Sequence, residues 1–208
     1  MNEDDIMDKK KIAIIIVILA ILLGVYQFVY VPYQNEQANL HYNEGLKNVS
    51  AIDNEISDSF KNSFNVTTSN VSGGIESTIQ SFKNMEEKSD QKLEILNKTR
   101  SFTNGNKTKE QYIDYQIEST QIQKDMASEI VKDYEELNDA FKSADFNKIM
   151  NISTQIQTTV NSTIEKMKSI EDKLSTLLNE NPGFNQTLQD LNITDKNYLS
   201  KNIPNPSI

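Results

Sequence analysis

Apolar residues fall along this chain in two patterns: one unbroken block near the start, then a series of helical stripes. The block, Ile12 to Val31, reads IAIIIVILAILLGVYQFVYV, and Gln27 is its one strongly polar interruption. A helix that is apolar on every face has no side to turn toward water. Twenty such residues at about 1.5 Å each span roughly 30 Å, the hydrocarbon thickness of a bilayer. The block therefore predicts a transmembrane anchor helix over residues 12–31. Tyr26, Tyr30 and Tyr33 cluster at its distal end, where an aromatic belt would sit. Pro32 is expected to end or kink the helix. The apolar core of a cleaved signal peptide is shorter, about 7–15 residues, and ends in small residues. This run instead leaves through Val31, Pro32 and Tyr33, so it is expected to be retained. Ala20 and Gly24 form a small-xxx-small pair of the kind that lets two membrane helices approach.

Beyond the block, apolar residues recur every three or four positions, the period of a helix face. Val49, Ile52, Ile56, Phe60 and Phe64 mark a stripe within a predicted helix over about Gln34–Phe64. The stretch NVTTSNVSGG, residues 65–74, reads as a break. Ile75, Ile79, Phe82, Leu93 and Leu96 share a face of a helix over about 75–100. Asn104-Gly105 marks a turn, and Thr108 with Gln111 has capping-box spacing. From there to about Lys142 the stripe is Tyr112, Tyr115, Ile122, Met126, Ile130, Tyr134, Leu137 and Phe141. Ser143-Ala144-Asp145 is a tight connection with Asp145 as N-cap. The longest repeat follows: Ile149, Ile152, Ile156, Val160, Ile164, Met167, Ile170, Leu174 and Leu177, a seam of coiled-coil type. Asn181-Pro182-Gly183 stops it, and Phe184, Leu188 and Leu191 suit a short amphipathic return.

Short connections between long amphipathic helices imply antiparallel neighbours. The expected fold is all-α: one N-terminal transmembrane helix followed by an antiparallel bundle of about four long helices with coiled-coil-like seams. The expected organisation is a cytoplasmic tail (1–11), the anchor (12–31), an extracytoplasmic bundle (33–192) and a flexible tail (193–208). A more extended rod pairing with a second copy has the same periodicity and remains the alternative.

Charge sets the orientation. Lys9, Lys10 and Lys11 abut the block, and no further Lys or Arg appears until Lys47. The positive-inside rule places the N-terminus in the cytoplasm and the rest outside the cell membrane; Asp4, Asp5 and Asp8 count for little in it. The whole chain has 208 residues, 21 Lys and Arg, 30 Asp and Glu, and a formal charge of −9. Nucleic-acid binding needs clustered cations; here they are interspersed with acids, so that class is set aside. With no cysteine, disulfides, thiolate chemistry and Cys-bound zinc are excluded, and stability must come from helix packing.

Candidate chemistry is sparse. His41 is the one histidine, too few for a zincin or a Glu-x-x-His diiron site. No phosphate-binding glycine loop and no calcium loop occurs in the sequence. Glu86-Glu87 and Glu135-Glu136 are acidic pairs, but neighbours on a helix diverge by about 100°, which suits solvated faces rather than a catalytic cleft. No catalytic, metal or cofactor residue is assigned and no cofactor is expected. One motif is over-represented: N-x-[ST] occurs at Asn48, Asn65, Asn70, Asn97, Asn106, Asn151, Asn161, Asn185 and Asn192, nine times against about four expected from composition for a motif of this form. All nine fall on the outer side and are candidate N-glycosylation sites; Asn151 and Asn161 lie opposite the long seam.

The layout of an N-in anchor and long outer helices is similar to that of four-helix-bundle receptor sensors and LemA-type membrane proteins, in architecture alone. Neither the sensors' second membrane span nor the LemA-type Trp- and Arg-rich stretch has a counterpart here. The expected function is a non-enzymatic, single-pass, membrane-anchored surface domain for interaction or scaffolding. Its partners would be the membrane, through residues 12–31, and a protein or a second copy. The alternative is a sensory or accessory subunit binding a small ligand and acting through a membrane partner. A polar-lined cavity between helices would favour that alternative.

Overall fold

The computed structural model describes residues 18–63 and 71–193. The chain divides into two compact units, Met1–His41 and Tyr42–Ile208.

In the first unit, residues 18–25 are α-helical and Tyr26–Tyr30 form a π-helical turn. Helix α1, Val31–Ser63, follows directly. Pro32 therefore does not end the helix. Proline brings no N–H and its ring crowds the carbonyl four residues back. The chain answers with a wider turn, in which the Val31 N–H reaches back to the Tyr26 carbonyl, the usual way a helix absorbs such an insult. The Tyr26 and Tyr30 rings stack across this turn, with centroids 5.5 Å apart. No helix among the described residues is long and apolar enough to cross a membrane. Of the span expected over 12–31, residues 12–17 lie outside the described residues, as does the expected tail of residues 1–11.

The second unit is a helical bundle of α1 (from Tyr42), α2 (Val71–Arg100), α3 (Lys107–Lys142) and α4 (Phe146–Glu180), closed by a short α5 (Pro182–Asp190). Side-chain pairs fix the direction of each neighbour. Along α1, Asp53, Glu55 and Ser59 meet Lys92, Lys88 and Asn84 of α2, so the partner falls earlier as the residue falls later. The same inversion relates Lys83, Asp90 and Arg100 of α2 to Glu135, Lys124 and Asp114 of α3. It relates Glu118 and Asp133 of α3 to Lys173 and Gln155 of α4. All three neighbours are antiparallel.

The turns explain why the bundle closes. Asn104 and Gly105 both take positive φ, 56° and 73°, a conformation these two residue types tolerate. Asn106, not Thr108, caps α3: its side chain accepts from the Lys109 N–H at 3.1 Å. Thr108 already lies within the helix, and its hydroxyl donates to Asn181 Oδ1 at the end of α4. Between α3 and α4, Ala144 sits at φ 53°. There the Asp145 N–H bonds the Ala140 carbonyl and the Ala144 N–H that of Phe141, a Schellman motif. Asp145 then caps α4 by accepting from the Lys148 N–H. Pro182 opens α5 where its missing N–H costs nothing. A second Schellman motif ends α5: Asn192 has φ 55° and the Ile193 N–H bonds the Leu188 carbonyl. Ile193, the first residue of the expected tail, packs on the core; residues 194–208 lie outside the described residues.

The core runs along the bundle as three clusters. The central one draws on all four long helices, with Ile52, Ile56 and Phe60 from α1, Phe82 and Met85 from α2, Met126 and Ile130 from α3, and Val160 and Met167 from α4. One end holds Tyr42, Leu46, Leu96, Tyr112, Leu174 and Leu188; the other holds Ile75, Leu137, Ala140 and Ile152. Gly45 lies in the interior of α1, where glycine weakens a helix. Its reason is proximity, because a Cβ there would collide with the Thr99 side chain of α2.

Candidate functional site

The described sequon asparagines are spread over several helices and turns. Asn48, Asn97, Asn106, Asn151, Asn161 and Asn192 are exposed and Asn185 is half-buried. Asn65 and Asn70, like Phe64 and most of the expected break, lie outside the described residues. Of the expected break, Val71 to Gly74 are helical instead. Gly73 and Gly74 belong to the first turn of α2, where glycine costs less than in a helix interior. Asn106 does double duty as the cap of α3.

The structure does not bring the candidate acidic residues together. Glu135 is tied to Lys83 of α2 at 2.8 Å, Glu87 accepts from Gln91, and Glu136 is exposed. His41 is exposed on α1. No group of three His, Asp or Glu able to hold a metal ion occurs among the described residues. Among the described residues the bundle surface carries shallow recesses. One, about 390 Å³, is lined by Ser59, Ser77, Gln80, Ser81 and Asn84; another, about 260 Å³, by Ser72, Ile75, Asn138, Phe141 and Lys142.

Polar chemistry is instead built into the seams. On α2 the buried positions are Ile75, Thr78, Phe82, Met85, Ser89, Lys92, Leu96 and Thr99, alternating steps of three and four without a break. Half of that heptad stripe is polar. Leu93, expected in it, is only half-buried. Each polar member is satisfied: Thr78 donates to the Ser63 carbonyl at 2.7 Å, and Ser89 and Thr99 to carbonyls one turn back. Lys92, 2% exposed, reaches Asp53 of α1 at 2.6 Å. About two turns earlier on α2, Asn84 donates to Ser59 of α1.

A second polar position lies between α3 and α4. Asp133 is 2% exposed; its Oδ1 accepts from Gln155 Nε2 at 2.8 Å, whereas its Oδ2 is buried with no hydrogen-bond partner. Burial, reinforced by Glu136 and Glu129 and opposed by Lys132, raises its pKa above 3.8. A third lies near the Tyr42 end. Tyr42 is wholly buried and its hydroxyl has no partner, so burial holds its pKa well above the ordinary phenol value. The Lys109 ammonium sits 4.4 Å from the centre of its ring, and partial burial lowers that lysine's pKa. Tyr112 meets Phe184 of α5 edge to face, with centroids 5.3 Å apart. These groups hold helices in register, and Ser59 with Asn84 also lines the larger of the shallow recesses.

The outer face of α4 is the remaining feature. Phe146 and Met150 are 76% and 71% exposed, and Thr154, Thr158 and Ser162 continue outward from them. Sequence periodicity pointed at the inner face of this helix and was right about it: Ile152, Val160, Met167, Ile170, Leu174 and Leu177 are buried, while Ile149, Ile156 and Ile164 pack on the core half-buried. The outer face was visible only as the absence of charge. Comparison with protein-family models, with curated proteins and with solved structures finds no match to this chain.

Proposed function

We propose that this chain is a non-enzymatic, single-pass membrane protein whose helical bundle works outside the cytoplasm in interaction or scaffolding. The observation that carries the anchor is exposure. Ile18, Leu19, Ile21, Leu22, Leu23, Val25, Phe28 and Val29 are all more than half exposed, Phe28 at 83%. So continuous a set of bare apolar side chains is costly in water, at roughly 25 cal/mol per Å², and is at home in hydrocarbon. Lys9 to Lys11 on one side and the tyrosines on the other fit an N-in anchor over residues 12–31. Support for the interaction role comes from the bundle. Its seams are filled by side chains, its recesses are shallow, and its ionisable groups are spread over separate faces. Exposed sequon asparagines suit a domain that meets a glycosylation machinery outside the cytoplasm.

The test is fractionation. The full chain should stay in the membrane pellet through a high-salt wash and leave it in detergent. A chain lacking residues 12–31 should be released. Full-length protein found in the soluble fraction, or a mature N-terminus near Pro32, would overturn the anchor.

A further inference from the structure

Between Lys148 and Glu165, α4 carries no charge, the longest such run after His41, in a chain whose residues are 25% charged. Along the outside of that run stand Met150, Thr154, Thr158 and Ser162, with Phe146 one turn before it, all exposed. They are spaced by four and form one continuous ridge of the kind that packs into a neighbouring helix. Phe146 and Met150, with Phe141 just before the turn, are the exposed large hydrophobic residues of the described bundle. The ridge is also less polar than its composition suggests. The Thr154 hydroxyl donates to the Met150 carbonyl at 3.0 Å and the Thr158 hydroxyl to the Thr154 carbonyl at 2.8 Å. With those donors engaged inside the helix, covering the ridge strands few groups, which is the main penalty of burying polar surface.

We propose that this ridge is a self-association face, on which two copies of the chain pack α4 against α4. Charge selects the second copy as occupant. A chain of net charge −9 repels its own kind wherever charged faces meet. A basic partner would instead be drawn to the acidic helices. A charge-free face is the place where like-charged copies touch without that repulsion, and charge depletion marks interface cores. Ridge geometry agrees: rows spaced by four on two helices interdigitate with each other, at about −50°, and a two-fold contact uses the same row on both copies. The run is about 24 Å long and one helix wide, so the contact is small and weak in dilute solution. Confinement of both copies to one membrane raises their effective concentration. The proposal names the partner for the interaction role above and rests on it to that extent. Asn151 and Asn161 are exposed beside the ridge; glycans there would bar the contact, so the test uses unglycosylated protein.

Because the chain has no cysteine, a single introduced thiol reports on one position. Thr154→Cys lies at the middle of the ridge, and Asn97→Cys is an exposed control on α2. A disulfide needs Cα atoms within about 7 Å, which two helices crossing at Thr154 provide. Full-length protein in membranes of a host without N-glycosylation is oxidised gently. Thr154→Cys should give a disulfide-linked dimer and Asn97→Cys should stay monomeric. Adding Met150→Lys and Thr158→Lys to Thr154→Cys should abolish the dimer while helical circular dichroism and melting stay unchanged. Equal dimer from both thiols would mean random collision or pairing elsewhere, and it would overturn the proposal. So would no dimer from Thr154→Cys, or dimer that survives the two lysines. Fractionation tests the anchor and cross-linking tests the ridge, so either can fail without the other.

Discussion

Lys92 occupies a seam position where a coiled coil ordinarily places leucine. Its partner Asp53 is less enclosed, with side-chain exposures of 2% for the lysine and 32% for the aspartate. The two ends of this ion pair therefore differ. Asp53→Asn leaves a buried ammonium without its counter-charge and should cost about 3–5 kcal/mol. Lys92→Met removes the buried charge, keeps an unbranched apolar stem and leaves only a part-exposed carboxylate, so it should be near neutral or stabilising. Thermal melting of the two variants checks the order; equal losses would mean that the pair itself carries stability. Asp133 poses the opposite problem, a buried carboxylate with one oxygen unpartnered. The helix facing it, α4, offers Gln155 and no charge between Lys148 and Glu165, while Glu129 and Glu136 on its own helix oppose ionisation. Lys83, across on α2, is engaged by Glu135. Its folded pKa is raised above 3.8, so the folded state holds its proton more tightly than the unfolded chain does. Its contribution is favourable in acid and declines as pH climbs from the unfolded value through the folded one. Asp133→Asn should therefore stabilise the bundle by about 1 kcal/mol at pH 7, and that advantage should vanish on acidification toward pH 4, near the unfolded carboxylate pKa. A variant less stable than the parent at every pH would show that the carboxylate is needed.

Among the elements, α4 was the most legible and α2 the least, for one physical reason. Periodicity finds a buried face only where burial is apolar. On α4 the inner stripe is Ile, Val, Met and Leu, and its predicted members are buried or packed half-buried on the core. On α2 the stripe passes through Thr78, Ser89, Lys92 and Thr99, whose hydrogen bonds make them acceptable inside but invisible to a hydrophobic count. The eye then jumps to Leu93, which the structure leaves half-buried. On α3 the stripe ends with Ala140 buried and Phe141 44% exposed, because the larger residue lies past the last seam position. Caps depend on local geometry that spacing alone approximates: Asp145 was read correctly, and Thr108 was displaced two residues from the real cap, Asn106. The turn after α3 offers a direct test. Ala144 holds φ 53°, a conformation that costs a residue with a Cβ about 1–2 kcal/mol. Ala144→Gly should recover about 1 kcal/mol, less whatever glycine adds to the freedom of the unfolded chain. The check is a rise in melting temperature. A fall would show that the Schellman turn does not set the strain at this position.

For the whole molecule, an antiparallel bundle was legible because tight connections leave a long helix no choice but to fold back on its predecessor. The outer surface was less legible, since a helix face that packs on nothing in its own bundle has no obligatory motif, and the proposed α4 ridge differs from other faces by its missing charges. With residues 12–31 as the proposed anchor, orientation across the membrane belongs to this scale too, because a few charges would set it and so display everything after them. Lys9, Lys10 and Lys11 precede the apolar block, and Lys47 is the next cation. Retaining three ammonium groups on the cytoplasmic side and passing a chain that begins without cations is the cheaper of the two insertions. The core end containing Tyr42 is where the chain enters the bundle, so the turn at Ser143–Asp145 and the start of the α4 ridge lie at the other end of that unit. Protease added to intact cells should therefore remove the bundle and leave an epitope placed before Met1 untouched. Replacing Lys9, Lys10 and Lys11 with Gln, and adding lysines just after Tyr33, should invert the result, protecting the bundle and exposing the epitope. A bundle that resists protease in the parent chain, yet is digested once cells are opened, would mean that the C-terminal unit faces the cytoplasm and that the orientation drawn from these lysines is reversed.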